Sequence, residues 1–271
     1  MTLRHNSGMD RVDVEGMRIA YQRAGSGPVL VMLHGAPTDS RTWRWMLPDL
    51  ARDHTVIAWD APGFGDSSDI DDGWRAPQFA DALAAFLAAL GLERPHIVGH
   101  SFGTMLALSL FRNHPDVPAS LALVGGYAGW AGSLPPDEVA RRLKMFLGMA
   151  ELGDAFDPKS YPGLFSERIP ADREAALVAM MRENIRPPTV RAAGYIGAET
   201  DLRPVLPTVD VPTLVLHGAA DARSPLANAE ALHAAIPTSQ LVVLPGLGHA
   251  CVVEDPETCA VEIRRFVTTV S

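Results

Sequence analysis

The chain has 271 residues, of which 47% are hydrophobic and 20% charged, a composition that excludes a disordered protein and suffices for one sizeable core with an appended subdomain. Its 32 acidic residues against 23 basic ones give a net charge of −9, which repels nucleic acid and anionic membrane surfaces at long range. The composition therefore favours a small molecule as the partner over nucleic acid or a membrane.

Short β-branched apolar runs alternate with Ala- and Leu-rich stretches in the two outer parts of the chain, which is typical of a parallel α/β sheet. The predicted strands are an opening hairpin over 11–25 and single runs at 28–35, 55–60, 96–100, 120–126, 213–218 and 239–246. Helices are predicted over 77–92, over 102–115, and from Asp255 to about Val267, because proline or glycine bounds apolar residues at helical spacing.

The middle of the chain breaks this alternation. Residues 131–209 contain frequent prolines, several helical fragments and no clear strand. We predict that they form a helical cap, or lid, inserted into an α/β core made of 1–130 and 210–271. The apolar cap residues expected partly to pack and partly to line a pocket include Met145, Phe146, Met149, Phe156, Phe165, Met180 and Met181.

The segment Gly99-His100-Ser101-Phe102-Gly103 matches Gly-x-Ser-x-Gly, the pattern of a nucleophile elbow. The pattern arises by chance in roughly one chain in ten of this length, so its position relative to the predicted elements is the stronger evidence for an elbow. A predicted strand runs into it and a predicted helix leaves it, whereas the alternative is a serine in an ordinary glycine-rich turn. Glycine on both sides relieves crowding around a strained serine, and the turn points the N–H of Phe102 at the reacting centre.

These features resemble the α/β-hydrolase superfamily over essentially the whole chain. Residues 33–37, Leu-His-Gly-Ala-Pro, resemble its oxyanion loop, and residues 60–67 resemble its D-x-x-G-x-G-x-S turn. The resemblance implies a mostly parallel eight-stranded sheet flanked by helices, with a helical cap. It also implies that the N–H of Ala36 is a second oxyanion donor beside that of Phe102, and two such donors stabilise charge developing on a carbonyl oxygen.

In this family the nucleophile is followed along the chain by an acid and then by a histidine. Asp221 follows the predicted strand 213–218 and His249 follows the strand 239–246, so both emerge at the edge of the sheet that carries Ser101. His249 would take the proton of the serine hydroxyl and later return it, because imidazole has a reference pKa of about 6.5. Asp221 would orient that imidazole and stabilise its charged form.

Other interpretations of the acidic residues remain open from the sequence. Asp221 could instead cap a helix that begins near Ser224. Asp210, Glu254 and Asp255 are weaker candidates for the orienting acid, and we assign Asp255 to the cap of the last helix because Pro256 follows it.

His34, His100 and His217 also lie at predicted strand ends, which invites a metal hypothesis. They lack the paired spacing and neighbouring ligands of a metal set, so we predict neither a metal nor another cofactor. His34 is expected to support the oxyanion loop through hydrogen bonds. The histidines without a motif, assigned to surface or structural roles, are His5, His54, His96, His114 and His233.

A serine at the elbow separates the chain from haloalkane dehalogenases and epoxide hydrolases, which carry aspartate there, although residues 34–38 resemble their loop. Serine forms an acyl-enzyme that water can hydrolyse, so a largely apolar carboxylic ester or lactone is the expected substrate. The segment 248–257 resembles the corresponding stretch of enol-lactonases. Position alone suggests Met105, Tyr127 and Trp130 as pocket residues, and no oligomeric state is predicted.

Two alternatives to an esterase or lactonase remain. One is a C–C bond hydrolase of vinylogous diketones, which uses the same triad with an arginine in the pocket. The cap arginines that leave this alternative open are Arg141, Arg142, Arg168, Arg182, Arg186 and Arg191. The other is a non-catalytic receptor or scaffold on the same fold, since a fold does not determine a function.

The sequence also bears on the compartment. Residues 1–16 hold no apolar stretch long enough for a signal sequence, and no run of about 18 apolar residues occurs. Cys251 and Cys259 show neither Cys-x-x-Cys spacing nor the density of a disulfide scaffold. We therefore expect a cytoplasmic protein with two reduced thiols.

Overall fold

The computed structural model describes residues 9–270 and contains an eight-stranded sheet. The strands are β1 (Asp10–Val14), β2 (Met17–Ala24), β3 (Val29–Leu33), β4 (Thr55–Trp59), β5 (His96–His100), β6 (Ser120–Val124), β7 (Thr213–Gly218) and β8 (Ser239–Leu244). Their order across the sheet is β1-β2-β4-β3-β5-β6-β7-β8. β2 pairs antiparallel with β1 and β4, and the remaining neighbours pair in parallel. The predicted mostly parallel sheet is confirmed.

Helices cover the sheet and explain its uninterrupted apolar strands. They are α1 (Leu47–Leu50), α2 (Ala76–Ala89), α3 (Phe102–Asn113), α4 (Pro136–Leu152), α5 (Ala171–Glu183), α6 (Pro187–Glu199), α7 (Leu226–Ala235), α8 (Cys251–Glu254) and α9 (Pro256–Val270). Every residue of β4, β5, β6 and β7 is buried, as expected for strands covered on both faces. None of the helices within residues 9–270 combines the length and the apolar character needed to span a bilayer.

The three predicted helices correspond to α2, α3 and α9, with ends that differ by at most three residues. α2 ends at Ala89, and Gly91 follows at a φ of 64°, a conformation that ends helices and favours glycine. The carboxylate of Asp255 accepts the N–H of Thr258 at 3.0 Å just before α9, so the predicted cap is confirmed. The four-residue helices α1 and α8 were not predicted.

Between β6 and β7 the chain forms α4, α5 and α6 and no strand, and the structure describes this stretch throughout. We call residues 131–209 the inserted segment. α6 approaches α4 closely, since a Cβ on Gly194 would lie 2.7 Å from the Cβ of Phe146. The ring of Phe146 in turn packs against Trp130 at a centroid distance of 5.4 Å. The division into a core and a cap at these boundaries stays a prediction.

A buried amide ties the inserted segment to the sheet loops. Asn184, which follows α5, donates its Nδ2 to the carboxylate of Asp39 at 2.7 Å and to the carbonyl of Met180 at 2.9 Å. Its Oδ1 accepts the N–H of Gly65 at 2.7 Å. Asp39 lies in the loop after β3 and also binds the guanidinium of Arg41 at 2.6 Å. One side chain thus joins the inserted segment to the loops that follow β3 and β4.

We expect Asn184→Ala to lower the free energy of unfolding by about 2 to 3 kcal/mol, because it leaves buried partners unsatisfied at Asp39 and Gly65. Urea unfolding monitored by circular dichroism measures the change. Asn113→Ala is the matched control, since Asn113 is exposed and we expect an effect within about 0.5 kcal/mol. Equal effects of the two substitutions would contradict the structural role of Asn184.

Candidate active site

Ser101 occupies the sharp turn between β5 and α3 with a φ of 51° and a ψ of −109°. This is a strained conformation for a residue other than glycine. A Cβ on Gly99 would lie 2.4 Å from the carbonyl oxygen of Gly103, and a Cβ on Gly103 would lie 2.2 Å from that of Leu33. Both flanking glycines are therefore required by backbone crowding, for the reason that the sequence pattern predicted.

The structure brings the three residues predicted as the catalytic set into one hydrogen-bonded line. The Oγ of Ser101 lies 2.9 Å from the Nε2 of His249. The Nδ1 of His249 lies 2.8 Å from the Oδ2 of Asp221. The other carboxylate oxygen of Asp221 accepts the backbone N–H groups of Arg223 at 2.8 Å and Ser224 at 2.6 Å. These bonds hold the carboxylate in place, so Nδ1 of His249 carries its proton and Nε2 is free to accept from Ser101.

Parallel strands position these side chains at one edge of the sheet. Ser101 follows β5, Asp221 follows β7 and His249 follows β8. After β6, between β5 and β7, the chain continues with Gly125 at a φ of 58°. A Cβ there would already lie 3.6 Å from the Nδ1 of His249, so a small residue leaves room for the imidazole and its carboxylate. The carbonyl of His249 accepts the Nε2–H of His100 at 2.8 Å, which fixes its loop against the elbow.

The charge states of the buried groups follow from their surroundings. Burial raises the pKa of Asp221, but the charge and hydrogen bond of His249 and the N–H of Ser224 outweigh it, so that this pKa lies below its ordinary value. Asp221 is therefore a carboxylate at neutral pH. Burial also lowers the pKa values of His34 and His217 and lowers that of His100 to about 4, so these three rings are neutral.

The low pKa of His100 predicts acid sensitivity. Between its ordinary pKa of 6.5 and about 4, the unfolded chain binds a proton at this ring that the folded chain does not. Stability therefore falls as the pH drops through that window, by on the order of 3 kcal/mol for this group. Urea unfolding between pH 7 and 4.5 should show a shallower pH slope in His100→Gln than in the wild type. Identical slopes would contradict the assignment.

The two predicted oxyanion donors, Ala36 and Phe102, belong to segments that meet Ser101. Phe102 is the first residue of α3, so its N–H has no acceptor within the helix. Ala36 lies in the loop after β3 and lines the cavity beside Ser101. His34 holds that loop as predicted, because its Nδ1 donates to the carbonyl of Gly35 at 2.7 Å and its Nε2 accepts the N–H of Ala61 at 3.0 Å. The role of these two N–H groups as oxyanion donors stays a prediction.

The weaker candidates for the orienting acid lie elsewhere. Asp210 is exposed and precedes β7 instead of following it. Glu254 is buried, but its carboxylate accepts the N–H of Gly248 at 2.7 Å. Asp255 caps α9. The alternative role of Asp221 as a helix cap does not account for its bond to His249, and α7 begins only at Leu226.

A narrow cavity of about 20 Å³ lies beside Ser101. It is lined by Gly35, Ala36, Thr38, Thr42, His100, Ser101, Tyr161, Leu164, Leu177, Met181, Arg223, His249, Ala250 and Val253. Tyr161, Leu164, Leu177 and Met181 belong to the inserted segment, so this segment covers the serine. Its lining is mostly apolar or neutral.

The pocket residues suggested by position do not line this cavity. Met105 is buried within α3. Tyr127 is buried with its hydroxyl on the carbonyl of Arg223 at 2.7 Å, although its ring centroid lies 6.4 Å from that of His249. Trp130 packs against α6, where a Cβ on Gly197 would approach its ring to 2.5 Å. They were predicted because they lie close in sequence to the elbow or to β6, but their side chains pack into the core instead of lining the cavity.

The cavity residues that sequence reasoning missed include Tyr161, Leu164, Leu177 and Arg223, whereas Met181 was among the apolar cap residues predicted to pack or to line a pocket. Arg223 could have been found, because it lies two residues after Asp221 at the edge of the sheet that carries Ser101. The others depend on how the inserted segment folds over the serine, and no local pattern reports that.

None of the six cap arginines lines the cavity, and each contacts another group. Their partners are Glu138 for Arg141 and Arg142, the carbonyl of Pro245 for Arg168, Asp157 for Arg182, Asp69 for Arg186 and Asp72 for Arg191. These six residues therefore give no support to C–C bond hydrolysis, but Arg223 lines the cavity, so an arginine in the pocket is present and this alternative stays open.

The remaining sequence predictions concern metals, thiols and histidines. Within residues 9–270, no group of three or more His, Cys, Asp or Glu side chains has an arrangement that could hold a metal ion. Cys251 and Cys259 are buried free thiols. His96 is buried with its Nδ1 on the hydroxyl of Ser120 at 2.8 Å, in the structural role predicted. His5 lies outside the described residues.

Known proteins resemble the chain in both sequence and structure. A family model of the alpha/beta hydrolase fold matches residues 28–256. A pimeloyl-[acyl-carrier protein] methyl ester esterase of Aromatoleum aromaticum is 31% identical over 265 residues, which cover 89% of this chain and 98% of that relative. A thermophilic esterase of Thermogutta terrifontis matches with a TM-score of 0.84 at 28% identity, and the match covers 97% of this chain and 99% of the esterase chain. The enol-lactonase of Burkholderia xenovorans matches with a TM-score of 0.80 at 25% identity, over 96% of this chain and 100% of its own. The chain therefore belongs to the α/β-hydrolase fold family, and it is a hydrolase with esterases among its relatives.

Proposed function

We propose that this protein is a serine hydrolase that cleaves a small, largely apolar carboxylic ester or lactone through an acyl-enzyme on Ser101. The observation that carries the proposal is the line of hydrogen bonds from Ser101 through His249 to Asp221, at 2.9 and 2.8 Å, at the wall of a cavity. A serine hydroxyl is a weak nucleophile at neutral pH, and this arrangement is the one that activates it.

In the first half of the reaction, the Oγ of Ser101 attacks the carbonyl carbon while the Nε2 of His249 takes its proton. The carbonyl oxygen becomes an oxyanion, which accepts hydrogen bonds from the N–H groups of Ala36 and Phe102. Asp221 stabilises the imidazolium through the Nδ1–H. The tetrahedral intermediate then collapses, the C–O bond of the ester breaks, and the proton on Nε2 goes to the leaving alkoxide.

In the second half, water replaces the alcohol beside the acyl group. His249 takes a proton from this water, and the resulting hydroxide attacks the acyl carbon through a second oxyanion. The bond to Oγ breaks and His249 returns the proton to Ser101, so the enzyme is restored and the carboxylic acid leaves. With a lactone the alcohol stays attached to the acyl group, and the same steps yield a hydroxy acid.

The preference for an ester or lactone over the alternatives rests on two supports. The relatives that share most of the chain include an esterase and an enol-lactonase. The cap arginines contact other groups, away from the cavity, but Arg223 lines it, so the arginine criterion does not separate an ester from a vinylogous diketone. A non-catalytic scaffold has no need of a serine, histidine and carboxylate joined by hydrogen bonds at a cavity.

The proposal is tested by labelling the folded protein with a fluorophosphonate and by assaying p-nitrophenyl esters of increasing acyl length. We expect the label on the peptide that contains Ser101, together with ester hydrolysis at rates that depend on acyl length. A protein that neither labels nor hydrolyses any ester or lactone would contradict the proposal and favour the scaffold. Labelling without ester or lactone hydrolysis would favour the C–C bond hydrolase.

A further inference from the structure

Arg223 is a buried cation in the wall of the cavity beside Ser101. It is 4% exposed and lies in the loop after β7, two residues beyond Asp221. Its guanidinium donates to the hydroxyl of Tyr161 at 2.8 Å and to the carbonyl of Pro162 at 3.3 Å. The guanidinium carbon lies 4.1 Å from the centroid of the Tyr161 ring. All of these partners are neutral.

Arg142, the other buried arginine within residues 9–270, shows what a satisfied guanidinium looks like here. Arg142 is also 4% exposed, and its Nε donates to the carboxylate of Glu138 at 2.6 Å. The ion pairs formed by the described residues do not include Arg223. A buried arginine is costly unless an anion accompanies it. Arg223 therefore lacks the one kind of partner that its burial requires.

The residues that line the cavity also offer Arg223 no acidic partner. Among the described residues that line it, Arg223 is the one with a permanent charge, and none is an aspartate or a glutamate. The guanidinium has five N–H donors, and the contacts to Tyr161 and Pro162 use two of them. The remaining three donors are available to an anion, and the guanidinium fork suits a carboxylate.

We propose that the substrate of this cavity is an ester or lactone that carries a carboxylate, and that Arg223 binds this carboxylate while Ser101 attacks the scissile carbonyl. This inference rests on the proposed function and adds the chemical class of the substrate. Arg223 is a specificity residue, because it contacts the substrate away from the bond that breaks. The apolar side chains Leu164, Leu177 and Met181 then surround the carbon chain between the two groups.

The test compares matched substrates that differ by one charge. In the first pair the charge lies in the acyl part, with the mono-p-nitrophenyl ester of adipic acid against p-nitrophenyl hexanoate. In the second it lies in the leaving part, with the butyrate ester of 4-hydroxybenzoate against that of 4-hydroxybenzamide. The measured quantity is the ratio of kcat/KM for the charged over the neutral member, corrected with Ser101→Ala. Loss of folded protein cancels in this ratio.

For the wild type we expect a ratio above about 10 in at least one pair, and Arg223→Met should lower that ratio about 10- to 100-fold, the range for a hydrogen bond to a charged group. Arg223→Lys, which keeps a charge, should retain more of the ratio than Arg223→Met. Arg168→Met is the matched control, since Arg168 is an exposed arginine of the inserted segment that does not line the cavity, and it should leave the ratio unchanged.

Two results would overturn the inference. One is a wild-type ratio near 1 in both pairs. The other is a fall in kcat/KM of Arg223→Met by the same factor for charged and neutral substrates, which is the outcome of a purely structural contact with Tyr161. Either result is compatible with Ser101-dependent hydrolysis of the neutral esters, so it would leave the proposed function intact. Failure of the proposed function is distinct, because no member of either pair would then be hydrolysed.

Discussion

Replacing Ser101 with alanine is expected to lower kcat for ester hydrolysis by at least about 10⁴-fold, the scale seen when a serine nucleophile of this kind is removed. The substitution deletes the oxygen that lies 2.9 Å from the Nε2 of His249 and would form the acyl-enzyme. The backbone of the elbow does not depend on this oxygen, because Gly99 and Gly103 are what relieve the crowding of the backbone. Steady-state hydrolysis of p-nitrophenyl butyrate and fluorophosphonate labelling measure the loss.

Ser109→Ala is the matched control for this substitution. Ser109 lies on α3, and its buried hydroxyl has no hydrogen-bond partner among the described residues, so its removal should leave kcat unchanged. Circular dichroism of both variants checks that each retains the fold. Wild-type activity in Ser101→Ala would remove Ser101 from the mechanism, and equal losses in both variants would point to a disturbed α3.

Asp221→Asn is expected to lower kcat by about 10³- to 10⁴-fold, as the corresponding change does in serine proteases. Two backbone N–H groups, of Arg223 and Ser224, point at one oxygen of Asp221. The asparagine carbonyl would take that position, and its NH₂ group would then face the Nδ1 of His249. Nδ1 would have to accept, so the proton would move to Nε2, which could no longer take one from Ser101. The measurement is kcat at neutral pH, and we expect the variant to keep near-native stability.

The competing acids provide the controls for Asp221. Asp210→Asn changes an exposed residue before β7 and should leave kcat unchanged. Glu254→Gln alters a buried carboxylate that binds Gly248, so its effect should appear in the unfolding free energy more than in kcat. A large loss of kcat in Asp210→Asn with little effect of Asp221→Asn would show that the acid is misassigned.

Much of the fold was predictable because local patterns determine it. Buried parallel strands are short apolar runs, and each of the seven predicted strand regions contains strands of the structure. The elbow at Ser101 was predictable for the same reason, since its two glycines answer a local backbone conflict. The family resemblance supplied the chain order from Ser101 to Asp221 to His249, and the structure brings these residues together.

The cavity was not predictable in the same way. Tyr161 and Leu177 reach Ser101 only through the path of the inserted segment, which is set by contacts such as that of Asn184 with Asp39 across a sequence separation of 145 residues. Met105 and Trp130 illustrate the converse. They lie close to the elbow or to β6 along the chain, but packing of α3 and α6 turns them into the core. The position of Arg223 at the edge of the sheet that carries Ser101 could have been inferred from the sequence, but its burial without an acidic partner could not.

The separation between Ser101 and His249, which is 148 residues, has a consequence for how the protein acquires activity during folding. The imidazole arrives with the loop after β8, at the far edge of the sheet, and among the described residues β8 pairs only with β7. Contacts of such long range form late, since closing large loops costs entropy before any interaction compensates. Return of ester hydrolysis after dilution from urea should therefore lag behind recovery of the far-ultraviolet signal, and turnover would report the moment at which the last strand joins the sheet.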